Sequence, residues 1–238
     1  HNAMHLLLDR PASLRPRGLL LTGPYHNGKT MIAERFAIEH LRQSERQRVW
    51  VIQTREGAGL SHFYASILAG LRAPQASGWR SLSRAGEQVD HLLDSLKPRV
   101  LIFDEFHSAL RGRRQDVKAI FSFMRRIARV HDISPVLVGE VAVYDAVHDT
   151  EEMGSRFDTI PISRWAYDED FATLLDSLET SMPLARASNL SRPPLAEIIH
   201  ELSEGLIGEV VDIVNNAAIT AIRTGEEHIS EATITSLG

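Results

Sequence analysis

The sequence contains no cysteine. Disulfides and thiolate metal sites are therefore excluded, and nothing points to an oxidising compartment. Long apolar runs are missing as well: no stretch reaches about 18 apolar residues, and no basic stretch with an apolar block and a small-residue cleavage site opens the chain. The expectation is a cytoplasmic protein that neither spans a membrane nor carries a secretory signal. Positive charge is not in excess either, since 26 Lys and Arg stand against 31 Asp and Glu for a formal net charge of -5. A protein that coats nucleic acid with its whole surface would need the opposite balance. Internal repeats and low-complexity tracts are absent too.

What is present is 43% hydrophobic and 24% charged residues in 238 positions, enough for a substantial core and one or two globular domains. His1, Asn2 and Ala3 ahead of Met4 read as remnants of an expression tag and carry no functional weight. Short apolar runs at Gly18–Thr22, Val49–Gln53, Val100–Phe103 and Val136–Gly139, with a weaker one at Thr159–Ile162, suit buried parallel strands. Helical stretches separate them: Met31–Leu41 after the first, and Phe63, Ile67, Leu68 and Leu71 along one side of a helix after the second. Strands alternating with helices predict a three-layer α/β fold, a parallel sheet with helices on both faces. From Tyr167 onward the strand signal stops. Helical spacing takes over through Phe171–Leu178, Leu195–Leu202 and Val210–Ile222, with Pro183, Pro193 and Pro194 between segments. We therefore expect an α/β domain over 4–164 and a small C-terminal helical domain over 165–238.

Gly23-Pro24-Tyr25-His26-Asn27-Gly28-Lys29-Thr30 fits G-x-x-x-x-G-K-[ST], directly after a strand and directly before a helix. Glycines let backbone N–H groups curl around phosphates, and the helix N-terminus adds its positive dipole end. Lys29 supplies a charge for the outer phosphates, and Thr30 a hydroxyl for Mg²⁺. The third strand ends in Asp104-Glu105, where the carboxyl end of a parallel strand faces a nucleotide crevice. Asp104 is the expected magnesium ligand, directly or through water, and Glu105 the base that polarises the water attacking the γ-phosphate of ATP. A strand and helix inserted between the two motifs characterise the additional-strand class of P-loop ATPases.

These residues resemble one family, the TniB transposition proteins, relatives of TnsC within the AAA+ ATPases. The resemblance rests on Leu19–Pro24 with Asn27–Thr30, Phe63-Tyr64 with Ile67-Leu68, Asp104–His107, Ser155-Arg156-Phe157, Pro161 with Trp165, Gly205–Glu209, Ala217-Ala218, Ala221-Ile222 and Gly225. Nearly the whole chain is covered in order, and the helical tail with Leu-Ile-Gly-Glu is more specific than the phosphate loop. Family members usually carry a longer upstream segment, so Met4 opens either a truncated chain or a short member. The resemblance implies an ATP-dependent regulator of DNA transposition that oligomerises on double-stranded target DNA and recruits or activates a transposase. It also implies that Arg156 is an arginine finger reaching a neighbouring subunit's γ-phosphate, with Arg164 as rival. Two departures stand out. Glu140 occupies the end of the fourth strand, where AAA+ proteins usually carry a neutral polar sensor, and Gly208-Glu209 stand where many carry a sensing arginine.

A basic track is the last feature. Arg114, Lys118, Arg125 and Arg129 fall within about 60° on a helix, with Ile120, Met124, Ile127 and Ala128 on the other side. Arg111 and Arg113 precede them. A solvated face is the plain explanation; in a DNA-loaded ATPase, contact with the phosphate backbone, insensitive to sequence, is preferred. The histidines show no metal-ligand spacing, His107 is expected to pack or hydrogen-bond locally, and Trp50, Trp79 and Trp165 read as core or boundary residues. Two other functions fit a phosphate loop: a small-molecule kinase, and a nucleotide-gated interaction switch without a DNA role.

Overall fold

The structure is a computed structural model; it describes residues 2–11, 13–57, 59–73, 81–149 and 151–235, without the side chains of 151 and 152. Trp79 lies outside the described residues. Five parallel strands, β1 (Gly18–Thr22), β2 (Val49–Gln53), β3 (Val100–Asp104), β4 (Ser134–Gly139) and β5 (Phe157–Pro161), form one sheet in the order β2-β3-β4-β1-β5. The expected α/β class holds. β3 lies between β2 and β4, so the acidic strand is separated from the phosphate-loop strand by β4.

β1, β3 and β4 are buried along their whole length, which is why they read as unbroken apolar runs. Their side chains divide by the two-residue period of a strand. Leu20, Leu101, Phe103 and Leu137 enter one core, whereas Leu19, Leu21, Val100, Ile102, Val136 and Val138 enter the other. The first core is closed by α3 (Leu60–Gly70), α4 (Leu82–Leu96), α5 (Arg114–Val130) and α6 (Val141–His148), with Phe63 in ring contact with Phe103, Phe106 and Phe123, and Phe103 with Phe106. The second is closed by α1 (Asn2–Leu8) and α2 (Lys29–Gln43), which buries Ala33 and Phe36. Met4, Leu7 and Leu8 join this core, so the residues next to the supposed tag are structural.

Two boundaries shift from the sequence expectation. β4 begins at Ser134 and includes Pro135, tolerated near the strand start because a lost N–H there costs little pairing. β5 runs from Phe157 to Pro161, since Phe157 is buried in the first core and Gly18 pairs with it. The helix α4 was invisible to the strand pattern; Ser81 caps it by accepting from the Arg84 N–H at 3.4 Å, and Ala85, Val89 and Leu93 form its buried stripe.

The chain divides into two compact units, one of 1–23 and 29–162, the other of 24–28 and 163–238. The second holds α8 (Glu169–Ser181), α9 (Leu195–Ser203), α10 (Ile207–Thr224) and α11 (Glu231–Thr235) around a core of Phe171, Leu175, Ile199, Val210 and Val214, with Trp165 packed against it. Asp168 caps α8 by accepting from the Phe171 N–H at 3.1 Å. The Glu179 carboxylate accepts from the N–H groups of Ser188, Asn189 and Leu190 at 2.6, 3.0 and 2.8 Å, fixing the connection that follows. Among the described residues no helix is long and apolar enough to cross a membrane.

Candidate nucleotide site

The carboxyl ends of β1, β3 and β4 bring together most of the residues singled out for phosphate chemistry. Gly23 follows β1, its N–H donating to the Gly139 carbonyl at 3.3 Å; a Cβ on Gly23 would lie 2.4 Å from the Ile162 carbonyl oxygen, so this position takes only glycine. Lys29, the first residue of α2, is 7% exposed and donates from Nζ to the Gly23 carbonyl at 3.1 Å. Burial holds its pKa below the ordinary lysine value, opposed by the negative charges of Glu105, Glu140 and Asp104. Three carboxylates therefore face this ammonium from the ends of β3 and β4.

Thr30 Oγ1 donates to Asp104 Oδ2 at 2.8 Å, so the two expected magnesium ligands already touch. Asp104 is 1% exposed, and its other oxygen accepts from the Glu105 N–H at 2.9 Å. A buried carboxylate and a hydroxyl are hard oxygen donors suited to Mg²⁺, which takes few protein ligands and completes its shell with phosphate and water. Among the described residues no group of three or more His, Cys, Asp or Glu is arranged to hold a metal.

Glu105 sits in the left-handed backbone region, φ 52°, at the start of the 3-10 turn Phe106–Arg111. That conformation turns its carboxylate away from the strand direction and to within 3.3 Å of His107 Nε2. Glu140 lies 3.9 Å from the same nitrogen. His107 Nδ1 is buried and finds no hydrogen-bond partner among the described residues. Sequence reading treated His107 as a local packing residue; its contact with Glu105 makes it a neighbour of the candidate base, and the two-residue spacing across a turn was the only available signal.

The middle of the loop belongs to the second unit. His26 accepts at its carbonyl from the Gly208 N–H at 2.9 Å, and its ring Nδ1 is 3.2 Å from Glu209 Oε1. A Cβ on Gly208 would meet the His26 ring at 2.5 Å. The Gly208-Glu209 pair that departs from the sensing-arginine pattern is thus the pair that packs on the loop. Tyr25 is 70% exposed and stacks on His26, and Asn27 Nδ2 donates to the Ser163 carbonyl at 2.8 Å. Pro24 and Gly28 complete this segment.

Arg156 stands apart from all of these. It follows the short helix α7 (Glu151–Gly154) and precedes β5, at the amino ends of the strands, where its carbonyl accepts from the Gly18 N–H at 2.9 Å. A strand of five residues spans roughly 15 Å, so the guanidinium is at the end of the sheet away from Lys29 and Asp104. Arg164 is engaged elsewhere, donating to the Glu204 carboxylate at 2.6 Å and to its carbonyl. The basic track lies on α5, with Ile120, Met124 and Ile127 buried beneath. At its start, exposed Arg111, Arg113 and Arg114 pair with Glu56, Asp116 and Asp149 at 3.1–3.4 Å. Lys118 is exposed, Arg125 donates to Ser122 Oγ at 3.0 Å, and Arg129 is exposed near the C-terminal end.

A family model described as "Bacterial TniB protein" matches residues 1–167. No curated protein matches the chain. Among solved structures, the Aeropyrum pernix ORC1 protein in complex with DNA is 16% identical at a TM-score of 0.68, covering 99% of this chain and 61% of that one. Cdc6p from Pyrobaculum aerophilum is 16% identical at 0.70, with 95% and 62% covered. The Thermotoga maritima RuvB Holliday junction branch migration motor is 15% identical at 0.57, with 98% and 63% covered. The chain spans about three-fifths of the length of these structures. At such identities the likeness establishes the fold alone, a parallel five-stranded α/β sheet followed by a helical unit.

Proposed function

The chain belongs to the TniB family, and from that premise we propose that it is an ATP-hydrolysing regulator of DNA transposition. In this reading it binds ATP with Mg²⁺, oligomerises on double-stranded DNA without sequence preference, and recruits or activates a transposase. One observation carries the ATPase part: Thr30 and Asp104 meet at 2.8 Å beside Lys29, with Glu105 next along the chain. The ATPase part of the chain is 4–164 and the helical lid 165–238.

The chemistry follows from the arrangement. N–H groups of Gly23–Thr30 and the start of α2 hold the phosphates, and Lys29 shifts from the Gly23 carbonyl to the outer phosphates. Thr30 and Asp104 would hold a magnesium ion, which would supply charge neutralisation to the phosphates. Glu105 accepts a proton from water as the water oxygen bonds to the γ-phosphorus; the bond from that phosphorus to the β–γ bridging oxygen breaks, and ADP leaves with the electron pair. His107, 3.3 Å from Glu105, orients the carboxylate between turnovers. Arg156 serves the nucleotide of a second copy, since it sits at the far end of its own sheet.

DNA contact is assigned to Arg111, Arg113, Arg114, Lys118, Arg125 and Arg129. The ion pairs at the start of the track are exposed and weak, so phosphates can replace the carboxylates at little cost. The test is phosphate release by the purified chain, with and without duplex DNA, at two salt concentrations. Release to water that rises with DNA and loses that rise at high salt is expected; transfer of phosphate to a small acceptor, or no release at all, rejects the reading.

A further inference from the structure

The tip of the phosphate loop is held by residues far outside its motif. His26 has φ 59° and Gly28 φ 75°, both in the left-handed region, on either side of Asn27. Turns of this kind gather successive N–H groups into an anion-binding concavity. Glycine takes the left-handed region freely, whereas a histidine needs contacts to keep it there. Those contacts come from the first turn of α10, which belongs to the same compact unit as 24–28. The Gly208 N–H donates to the His26 carbonyl at 2.9 Å. A trans peptide carries its C=O and N–H on opposite sides, so this bond turns the Asn27 N–H away from α10. Glu209 Oε1 lies 3.2 Å from His26 Nδ1, and Tyr25 stacks on the same ring with centroids 5.6 Å apart. The ring lies so close over Gly208 that a Cβ there would come within 2.5 Å of its Cγ, 2.6 Å of Cδ2 and 2.7 Å of Nδ1. A Cβ on Gly28 would stand 3.2 Å from Ile207 Cγ2, a second approach of the loop to the same turn.

We propose that Gly208 and Glu209 are positioning residues for nucleotide binding: they hold His26 in its left-handed conformation and so keep the loop shaped for a triphosphate before one arrives. The proposal rests on the ATPase reading above. It gives the pair that stands in place of a sensing arginine a role reached through the loop's backbone instead of by contact with phosphate. The work is divided unequally. The backbone bond sets the peptide that follows His26, and only glycine at 208 lets the ring lie where that bond forms. The Glu209 contact is the weaker part, since both side chains are about half exposed. Lys29 and Thr30 follow the clamped segment directly in the chain, so a peptide that rotates at His26 displaces them too. Coupling of this kind is reciprocal: a triphosphate that needs the clamped loop also tightens the clamp.

The experiment measures the Kd of a non-hydrolysable ATP analogue with Mg²⁺ by calorimetry, and KM and kcat for phosphate release. The chains are the wild type, Gly208→Ala, His26→Gly, the double variant and Glu209→Ala; amide exchange at Gly208 is followed in the wild type with and without the analogue. Alanine is a better helix former than glycine, so a loss in Gly208→Ala comes from the crowded ring and not from α10, and melting curves check the fold. Gly208→Ala is expected to weaken analogue binding about fivefold or more, the worth of one lost hydrogen bond. The loss appears in KM and not in kcat, as expected for uniform binding. In the His26→Gly background the same substitution costs less than about twofold, because the crowded ring is gone and glycine keeps a positive φ unaided. Glu209→Ala costs about twofold. In the wild type the analogue slows exchange of the Gly208 amide. Wild-type affinity in Gly208→Ala, an equal loss in both backgrounds, or exchange at Gly208 indifferent to bound analogue overturns the proposal. The exchange measurement needs no variant and decides by itself if Gly208→Ala does not fold. A wild type that binds no analogue overturns the ATPase reading and this inference with it, whereas equal losses in the two backgrounds overturn the inference alone.

Discussion

The two ends of the parallel sheet use charge in opposite ways. At the carboxyl ends, Asp104, Glu105 and Glu140 surround a single buried ammonium, Lys29, whose proton affinity is lowered by burial and only partly restored by the acids. At the amino ends, Arg15, Arg125, Arg126, Arg129 and Arg156 line a cavity in which Asp132 is the one acid among the described lining residues, and it pairs with Arg10 and Arg99. A difference of this kind follows from parallel topology: all β-strand termini of one sense meet at one edge, so loops distant in sequence assemble two distinct surfaces from one sheet.

Substitutions can break this contrast in graded steps. The largest effect is expected for Arg156→Ala, which should lower phosphate release about 10³-fold while ATP affinity, measured by calorimetry, stays within a few-fold. An equal loss of affinity would place Arg156 at its own chain's nucleotide. Next comes Glu105→Gln, which keeps the size of the side chain and removes its basicity; release should fall about 10²-fold with ATP binding intact. Lys29→Ala acts on binding rather than chemistry, and titration with an ATP analogue should show affinity reduced by roughly 10- to 100-fold, the worth of charge-assisted contacts to phosphate. The smallest effect belongs to the first half of α5. Replacing Arg111, Arg113, Arg114 and Lys118 with Gln should weaken duplex binding about tenfold and flatten its salt dependence by about one unit of slope per lost contact, with nucleotide affinity unaltered.

Much of the carboxyl end was legible from sequence because its motif is local: Gly23 to Thr30 is contiguous, and Asp104-Glu105 closes an apolar strand whose burial on both faces makes it readable. The two faces of α5 were legible for the same reason, through helical periodicity. The amino-end cavity was not. Arg15 and Arg156 are brought to Arg125 and Arg129 only by the pairing of β5 and β4 on either side of β1, which no spacing in the chain encodes. The contact of His26 with Gly208 and Glu209 joins residues some 180 positions apart and was equally hidden, so Gly208-Glu209 read as a missing sensor rather than as a packing partner of the loop. The apolar run placed the start of β4 at Val136, whereas pairing with β3 carries the strand back through Pro135 to Ser134.

The most direct test is a structure of the assembled chain with a non-hydrolysable ATP analogue and Mg²⁺. The account predicts the triphosphate against Lys29 and Thr30, with Asp104 beside the ion and Arg156 of an adjacent copy within about 4 Å of the γ-phosphate, a charge-assisted contact. A triphosphate bound elsewhere, or one reached by Arg156 of the same chain, would contradict it.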